Sequence, residues 1–291
     1  MNSLALKYRP SALICNVCGS TSHEELLTIK KPDRFEKAKG LNEAGYERKW
    51  IKCDDCGVAF NHMDEESERV VKQIESSYYE IDLGSERELQ KKFDHVMNLP
   101  DEKSDNTGRV DRVLSFLDRY FDDLTEVDIC DVGCGLGIFP SKLLEEYDSK
   151  EIEEVNIIGI EPDPVSYSFV KGLNRFPVIN GFFPQAVKGE KFNLITLNKV
   201  LEHLPNPVSM IYSIVKHLKD QDSLVYIEVP CITNTWKKPS IDSSLGALHY
   251  NLFSINSLTT IIDKTGLKTL IAERIEEPSG KISVYAIAGK I

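Results

Sequence analysis

The chain has 291 residues, is 41% hydrophobic and 28% charged, and carries a formal net charge of -11 from 35 basic and 46 acidic residues. That length holds one large domain or a standard α/β domain plus a smaller one, and the composition is that of a globular protein rather than a disordered or fibrous one. The negative field repels a phosphate backbone, so broad nucleic-acid contact is not expected; the basic stretch 29–52, with Lys30, Lys31, Arg34, Lys37, Lys39, Arg48, Lys49 and Lys52, is the candidate exception.

No apolar run reaches the roughly 20 residues that span a bilayer, and the N-terminus lacks a signal peptide's layout. The expectation is a cytoplasmic protein without membrane contact. Cysteines stand at 15, 18, 53, 56, 130, 134 and 231. An odd count without a secretion signal argues against a disulfide framework.

From the N-terminus, the first features are two near-identical knuckles, Cys15-Asn-Val-Cys18-Gly19 and Cys53-Asp-Asp-Cys56-Gly57. Each turn brings two thiolates to one point, and two such turns make a closed tetrahedral zinc site of the structural type. A redox pair or four free thiols are the alternatives. The 34 residues between the knuckles require a small insertion to fold there. Little strand-like alternation is visible over the first hundred residues. Residues 64–75 and 85–97 have helical spacing, with Leu89 and Phe93 on one face of the second. The polar, turn-rich stretch 98–108 reads as a linker. The expected division is a zinc-knuckle domain with a helical lid at 1–97 and a second domain at 109–291.

Beyond the linker, β/α alternation sets in. A helix at 109–121 is followed by strands at 127–132, 156–160, 177–180, 192–197 and 223–229, which alternate with helices at 138–147, 164–173 and 207–218. A helix at 255–265 precedes two strands, 267–273 and 282–288, with a short connection. This predicts a doubly wound, mostly parallel α/β sheet ending in an antiparallel hairpin.

In such a sheet, ligands sit beyond the carboxyl ends of the strands. The first strand ends in Asp131-Val-Gly133-Cys134-Gly135-Leu-Gly137, where glycines let the backbone approach a ligand. The second ends in Glu161, a carboxylate placed to accept both hydroxyls of a ribose. Dinucleotide binders share that feature but carry G-x-G-x-x-G at the first turn. Here glycines fall at every second position and Phe139 follows. Asp131 suits an ammonium better than a pyrophosphate.

These residues, together with Gly159-Ile-Glu161-Pro-Asp163 and the run Phe192–Pro207, resemble the class I S-adenosylmethionine methyltransferases acting on small molecules. The resemblance implies the seven-stranded Rossmann-like methyltransferase sheet over 109–291. It also implies that Asp131, Gly133 and Gly135 flank the methionine part of the cofactor, with Cys134 and Gly137 in the same loop. Glu161 would hold the ribose, Asn180, Gly181 and Phe182 would border the adenine, and Asn198 would line the methionine side. Cys134 reads as loop packing and Cys130 as core.

The two knuckles followed by Tyr78-Tyr79 are similar to the zinc-binding domain of deoxysugar and natural-product methyltransferases. Those families carry Glu-His and then Phe-Ser after the fifth strand; here Leu248-His249 precedes Phe253-Ser254, so the histidine matches and the glutamate does not. The expectations that follow are a structural zinc on Cys15, Cys18, Cys53 and Cys56, and a sugar-type small-molecule acceptor. His249 is the first candidate for the base and His203 the second, with Tyr79 as a lid residue over the cofactor. Lys237-Lys238 is a candidate phosphate contact. Asn198-Lys-Val-Leu lacks the Pro-Pro-aromatic of base amino-methylation, and Cys231 follows the fifth strand rather than the fourth, so it reads as structural. An RNA methyltransferase using the zinc module as a reader, or a non-catalytic relative that binds cofactor or a partner, are the competing readings.

Overall fold

A computed structural model describes residues 13–63, 65–75, 85–120, 126–148, 154–236 and 244–290, and Tyr79, Lys237 and Lys238 lie outside them. Between the knuckles the chain folds as β1 (His23–Ile29), α1 (Arg34–Ala38) and β2 (Arg48–Cys53), and β3 (Ala59–Met63) follows. The three strands form an antiparallel meander, with a register shift in β1 between Glu25 and Leu27. That irregularity breaks the period of two by which alternation is read from sequence. The meander's fourth strand comes from the far end of the chain: β9 (Asn251–Leu252) pairs with β3 through Ala59 and Phe60.

Helices α2 (Glu65–Glu75) and α3 (Glu86–Met97) lead to α4 (Asp105–Tyr120). The predicted linker is therefore partly helical. Ser104 supplies the start of α4, accepting from Thr107 N at 3.1 Å, so a polar stretch opens a helix instead of remaining a loop. The second sheet is built from β4 (Glu126–Val132), β5 (Glu154–Glu161), β6 (Val178–Asn180), β7 (Leu194–Asn198), β8 (Leu224–Pro230), β10 (Lys268–Glu276) and β11 (Ile282–Gly289). Its order is β10-β11-β8-β7-β4-β5-β6. The five strands from β4 to β8 run parallel, and β11 inserts antiparallel between β8 and β10. Helices α5 (Ile138–Asp148), α6 (Pro164–Leu173), α7 (Pro207–His217) and α8 (Ile255–Lys264) connect and cover it. This is a Rossmann-like fold with a mixed seven-stranded sheet, as the sequence predicts.

One apolar core runs under both sheets. Cys15, Val17, Cys53 and Val58 from the knuckles pack in the same cluster as Val229, Phe253 and Leu258. Polar contacts seal this seam, with Asn256 Nδ2 donating to Cys56 O at 3.0 Å and Lys264 Nζ to Val17 O at 2.8 Å. The meander also grips residues 245–250. Asp33 Oδ2 accepts from Ala247 N at 2.7 Å, Arg48 Nη1 donates to Leu245 O at 2.7 Å, and Asn61 Nδ2 donates to His249 O at 3.0 Å.

Asp33 does double duty, since its other oxygen caps α1 by accepting from Phe35 N and Glu36 N, both at 2.9 Å. Asp33→Ala should therefore lose a helix cap and leave Ala247 N buried without a partner, a cost of about 1–3 kcal/mol. A lower urea midpoint at unchanged slope is the expected result; an unmoved midpoint would show that the grip contributes nothing.

Candidate functional site

At the end of β4 the chain turns sharply to reach α5. Gly133 N and Cys134 N both donate to Ile160 O, at 2.8 and 3.0 Å, which ties the loop to the end of β5. Gly133 has φ 70, and a Cβ there would lie 2.9 Å from Val200 Cγ2. Gly135 has φ 56 and open space on its Cβ side. The first glycine is demanded by crowding and backbone together; the second leaves an open cradle. Gly137 packs against Phe176 and Val170. Cys134 is buried with its sulfur against Gly159, a packing role.

Glu161 closes the far side of this loop. Its carboxylate accepts from Gly135 N at 2.7 Å and Asp163 N at 2.8 Å, and burial pushes its carboxyl up to about 7. Asp131 lies under the loop, where one oxygen accepts from Thr196 Oγ1 at 2.6 Å and Asn198 Nδ2 at 3.1 Å. Burial pushes its carboxyl to about 7 as well. Asn198 spends its amide NH₂ on Asp131, while its carbonyl oxygen is buried without a partner among the described residues. An orphaned acceptor beside an acidic group and an open glycine suits an ammonium-bearing ligand. Asn180 donates to Glu161 O at 2.9 Å and Pro162 O at 3.2 Å, so its amide holds the β5 turn. Gly181 N donates to Glu161 O at 3.2 Å, and Phe182 is 73% exposed at the rim.

The two histidines offered as alternatives lie side by side. Their ring centroids are 4.6 Å apart at an interplanar angle of 79°. His203 Nδ1 lies 3.1 Å from Leu248 O, and His249 Nδ1 lies 2.9 Å from Ser244 O. Burial lowers both imidazoles, and His249, with His203 against it, falls to about 3. Glu202 completes the cluster. It is buried, has one carboxylate oxygen without a partner among the described residues, and is pushed up by burial to about 8. The cluster faces a cavity of about 230 Å³ enclosed between α1 and the carboxyl ends of β7 and β8, with Lys199, Asn234 and Ser283 also on its wall.

Behind Lys199 runs an ion cluster that sequence reasoning missed. Glu228 is fully buried on β8 and contacts Arg109 at 2.5 Å, Arg112 at 2.7 Å and Lys199 at 3.1 Å. Lys199 and Arg109 also reach Glu277, at 3.0 and 3.3 Å. Burial works to raise Glu228, but Arg109 and Lys199 outweigh it and hold the carboxyl well below the usual range. One signal was available: a glutamate inside Leu224-Val-Tyr-Ile-Glu228-Val-Pro230, an otherwise apolar buried strand, needs cationic partners.

The knuckles bring four sulfurs together. Cys15 and Cys56 sulfurs are 3.7 Å apart, those of Cys18 and Cys53 are 3.4 Å apart, and all four lie within 4.8 Å of one another. Four thiolates at ~2.3 Å around zinc would stand ~3.8 Å apart, so the donor set fits. The turns repeat each other: Gly19 N donates to Cys15 O and Gly57 N to Cys53 O, both at 3.0 Å.

A family model described as a methyltransferase domain matches residues 102–271, more than half of the chain. The ubiquinone biosynthesis O-methyltransferase of Histophilus somni (strain 2336) is 29% identical over 132 residues, 42% of this chain and 53% of that protein. The chain thus spans about half the length of this relative. Among solved structures, magnesium protoporphyrin IX methyltransferase from Synechocystis PCC 6803 with bound S-adenosylhomocysteine aligns with TM-score 0.55 at 15% identity, over 76% of this chain and all of that one. The plantazolicin methyltransferase BpumL, in complex with a substrate analogue and S-adenosylhomocysteine, aligns with TM-score 0.54 at 13% identity, over 79% of this chain and all of that one. These likenesses are of fold. With the family match spanning the glycine loop and all five parallel strands, the chain belongs to the methyltransferase-domain family.

Proposed function

We propose that the chain methylates a hydroxyl of a small polar acceptor, a nucleotide-linked sugar or a glycan precursor, seated in the cavity beside His249. The observation that carries this is the cavity itself: about 230 Å³ at the carboxyl ends of β7 and β8, with histidine, lysine, asparagine and serine beside apolar side chains such as Phe35 and Leu248 on its wall. That volume suits a sugar-sized group, with any attached nucleotide remaining outside. Relatedness to an enzyme named as an O-methyltransferase favours oxygen as the acceptor atom.

When bound, S-adenosylmethionine supplies the methyl group from its sulfonium. Asp131 and the free carbonyl oxygen of Asn198 receive the methionine ammonium, and Glu161 takes the ribose hydroxyls. Gly135 keeps the loop open, and Phe182 with Gly181 borders the adenine. Removal of the acceptor's proton centres on His249 and His203. The four cysteines hold a structural zinc whose work is to keep the meander, and through it residues 245–250, in place. RNA is the weaker reading, because the chain is net negative and the end of the basic stretch is paired or buried within it. Lys52 lies 2.7 Å from Glu24, Lys49 lies 3.0 Å from Glu25 and 3.3 Å from Glu47, and Arg48 is buried.

Calorimetry with S-adenosylhomocysteine should show one site per chain. Gly133→Arg should abolish it, and Glu161→Ala should weaken it by about 1.5–3 kcal/mol through lost charge-assisted hydrogen bonds; no binding by the wild type would sink the cofactor assignment. Elemental analysis should give a zinc that is lost on Cys15→Ser or Cys56→Ser. Loss of zinc should remove turnover while cofactor affinity largely survives, because the glycine loop is tied to the end of β5 by Gly133 N and Cys134 N on Ile160 O; zinc-free wild-type protein with full activity would refute this. On an accepted substrate, His249→Ala should lower turnover by about 10²–10⁴-fold with cofactor affinity within about threefold. Turnover near the wild-type level would remove His249 from the chemistry.

A further inference from the structure

We propose that Glu202, His203 and His249 form a binding site for a divalent transition-metal cation on the wall of the acceptor cavity, separate from the cysteine cluster. The inference deepens the acceptor-site reading above and rests on it for the cation's role, though not for its binding.

Three observations carry it. The first is convergence, since one donor atom from each residue lies within 4.8 Å of the others. Bonds of ~2.1 Å would draw them to about 3.0–3.4 Å from one another, a contraction within reach of side-chain rotation. The second is the tuning of the rings. Each histidine has its Nδ1 against a backbone carbonyl, His203 on Leu248 O at 3.1 Å and His249 on Ser244 O at 2.9 Å. Those carbonyls can only accept, so Nδ1 carries the proton in both rings and Nε2 presents a lone pair. An outer hydrogen bond that fixes the tautomer and aims the free nitrogen is the arrangement found behind metal-ligating histidines. The third is Glu202, which is 1% exposed and has its Oε2 buried with no partner among the described residues. A buried orphaned carboxylate oxygen is costly unless a ligand meets it.

The donor set selects the cation. Two imidazoles and one carboxylate suit Mn²⁺, Fe²⁺, Co²⁺ or Zn²⁺ rather than Ca²⁺ or Mg²⁺, which prefer oxygen alone. All three residues line the cavity, so an acceptor's hydroxyl oxygen there would be within reach to complete the shell. A Lewis acid there lowers the pKa of that hydroxyl, and the proton leaves to solvent. With the cation bound, the two imidazoles hold it and the turnover lost in His249→Ala is the loss of the cation; without it they are the base proposed above.

The test is a Mn²⁺ titration of the full-length, zinc-loaded protein, with free Mn²⁺ counted by electron paramagnetic resonance and no cofactor or acceptor present. Mn²⁺ is too hard to displace zinc from four thiolates, so the cysteine cluster stays silent. One saturable Mn²⁺ per chain is expected, weakened at least tenfold in His249→Ala and in Glu202→Gln. Each variant must bind S-adenosylhomocysteine within about threefold of the wild type, which shows that it is folded. No saturable Mn²⁺ in the wild type, or equal binding by wild type and both variants, would overturn the site. Failure of the wild type to bind S-adenosylhomocysteine would instead strike the methyltransferase reading and leave the metal result standing.

Discussion

Irregular backbone must find hydrogen-bond partners wherever it is buried, and in this protein that requirement ties the two ends of the chain together. Residues 245–250 put Gly246, Leu248 and His249 on the wall of the cavity, yet they belong to no helix or long strand. Their polar groups are met by the N-terminal meander: Ala247 N by Asp33, Leu245 O by Arg48, His249 O by Asn61 Nδ2, and Tyr250 O by Asn61 N at 2.9 Å. Each of these bonds crosses well over a hundred residues of sequence. Without the meander, those groups would be buried unpaired or the wall would open to water. The N-terminal region thus supplies part of the cavity wall itself, through Asp33, Arg34 and Phe35, and holds the rest in place.

The glycine loop and its carboxylates are made differently. Their parts are consecutive in sequence: a strand, a glycine turn and a helix, then a second strand ending in a carboxylate. Gly133, Gly135 and Glu161 were legible because residue type and spacing alone dictate such a turn. The helix at 164–173 was legible to the residue because Asp163 caps it and Pro164 opens it. The acceptor side gave no such local signal. Glu202 sits within Leu-Glu-His-Leu like any exposed helix-turn glutamate, and only the fold buries it. Arg109 and Glu228 are 119 residues apart in sequence, so nothing near either announces the pair. The meander was hidden for a related reason. Its strands are short, one is interrupted by a register shift, and its last strand is two residues long and distant in the chain.

The knuckles were legible as a pattern, and their consequence was not. Two C-x-x-C-G turns announce a thiol cluster, which the structure gathers with sulfurs 3.4 and 3.7 Å apart in its two closest pairs. What the pattern could not show is where the cluster docks. Val17, Cys53 and Cys56 belong to the same apolar core as β8 and α8, and Asn16 Nδ2 donates to Asn251 Oδ1 at 2.7 Å. A small meander has too little apolar surface to stand alone, so it draws stability from the larger sheet as well as from its thiols. Order at the thiols and order at the acceptor wall are consequently one property.

Two buried glutamates on neighbouring strand ends show how the fold divides charge. Glu228 is surrounded by Arg109, Arg112 and Lys199 and stays ionised at any physiological pH. Glu202 lies a short way along the β7 turn, where burial outweighs the pull of Lys199 and pushes it up to about 8. The same side chain is therefore a fixed anion in one place and a neutral acid in the other, set by neighbours alone. Lys199 is the hinge of this arrangement: φ 59 turns its backbone back so that its amine joins Glu228 and Glu277. Lys199 thereby brings the edge of that ion cluster to the cavity wall, which it shares with Glu202 and the two histidines. The cavity is lined in one stretch by charge that is already paired and in another by an acid that burial keeps neutral.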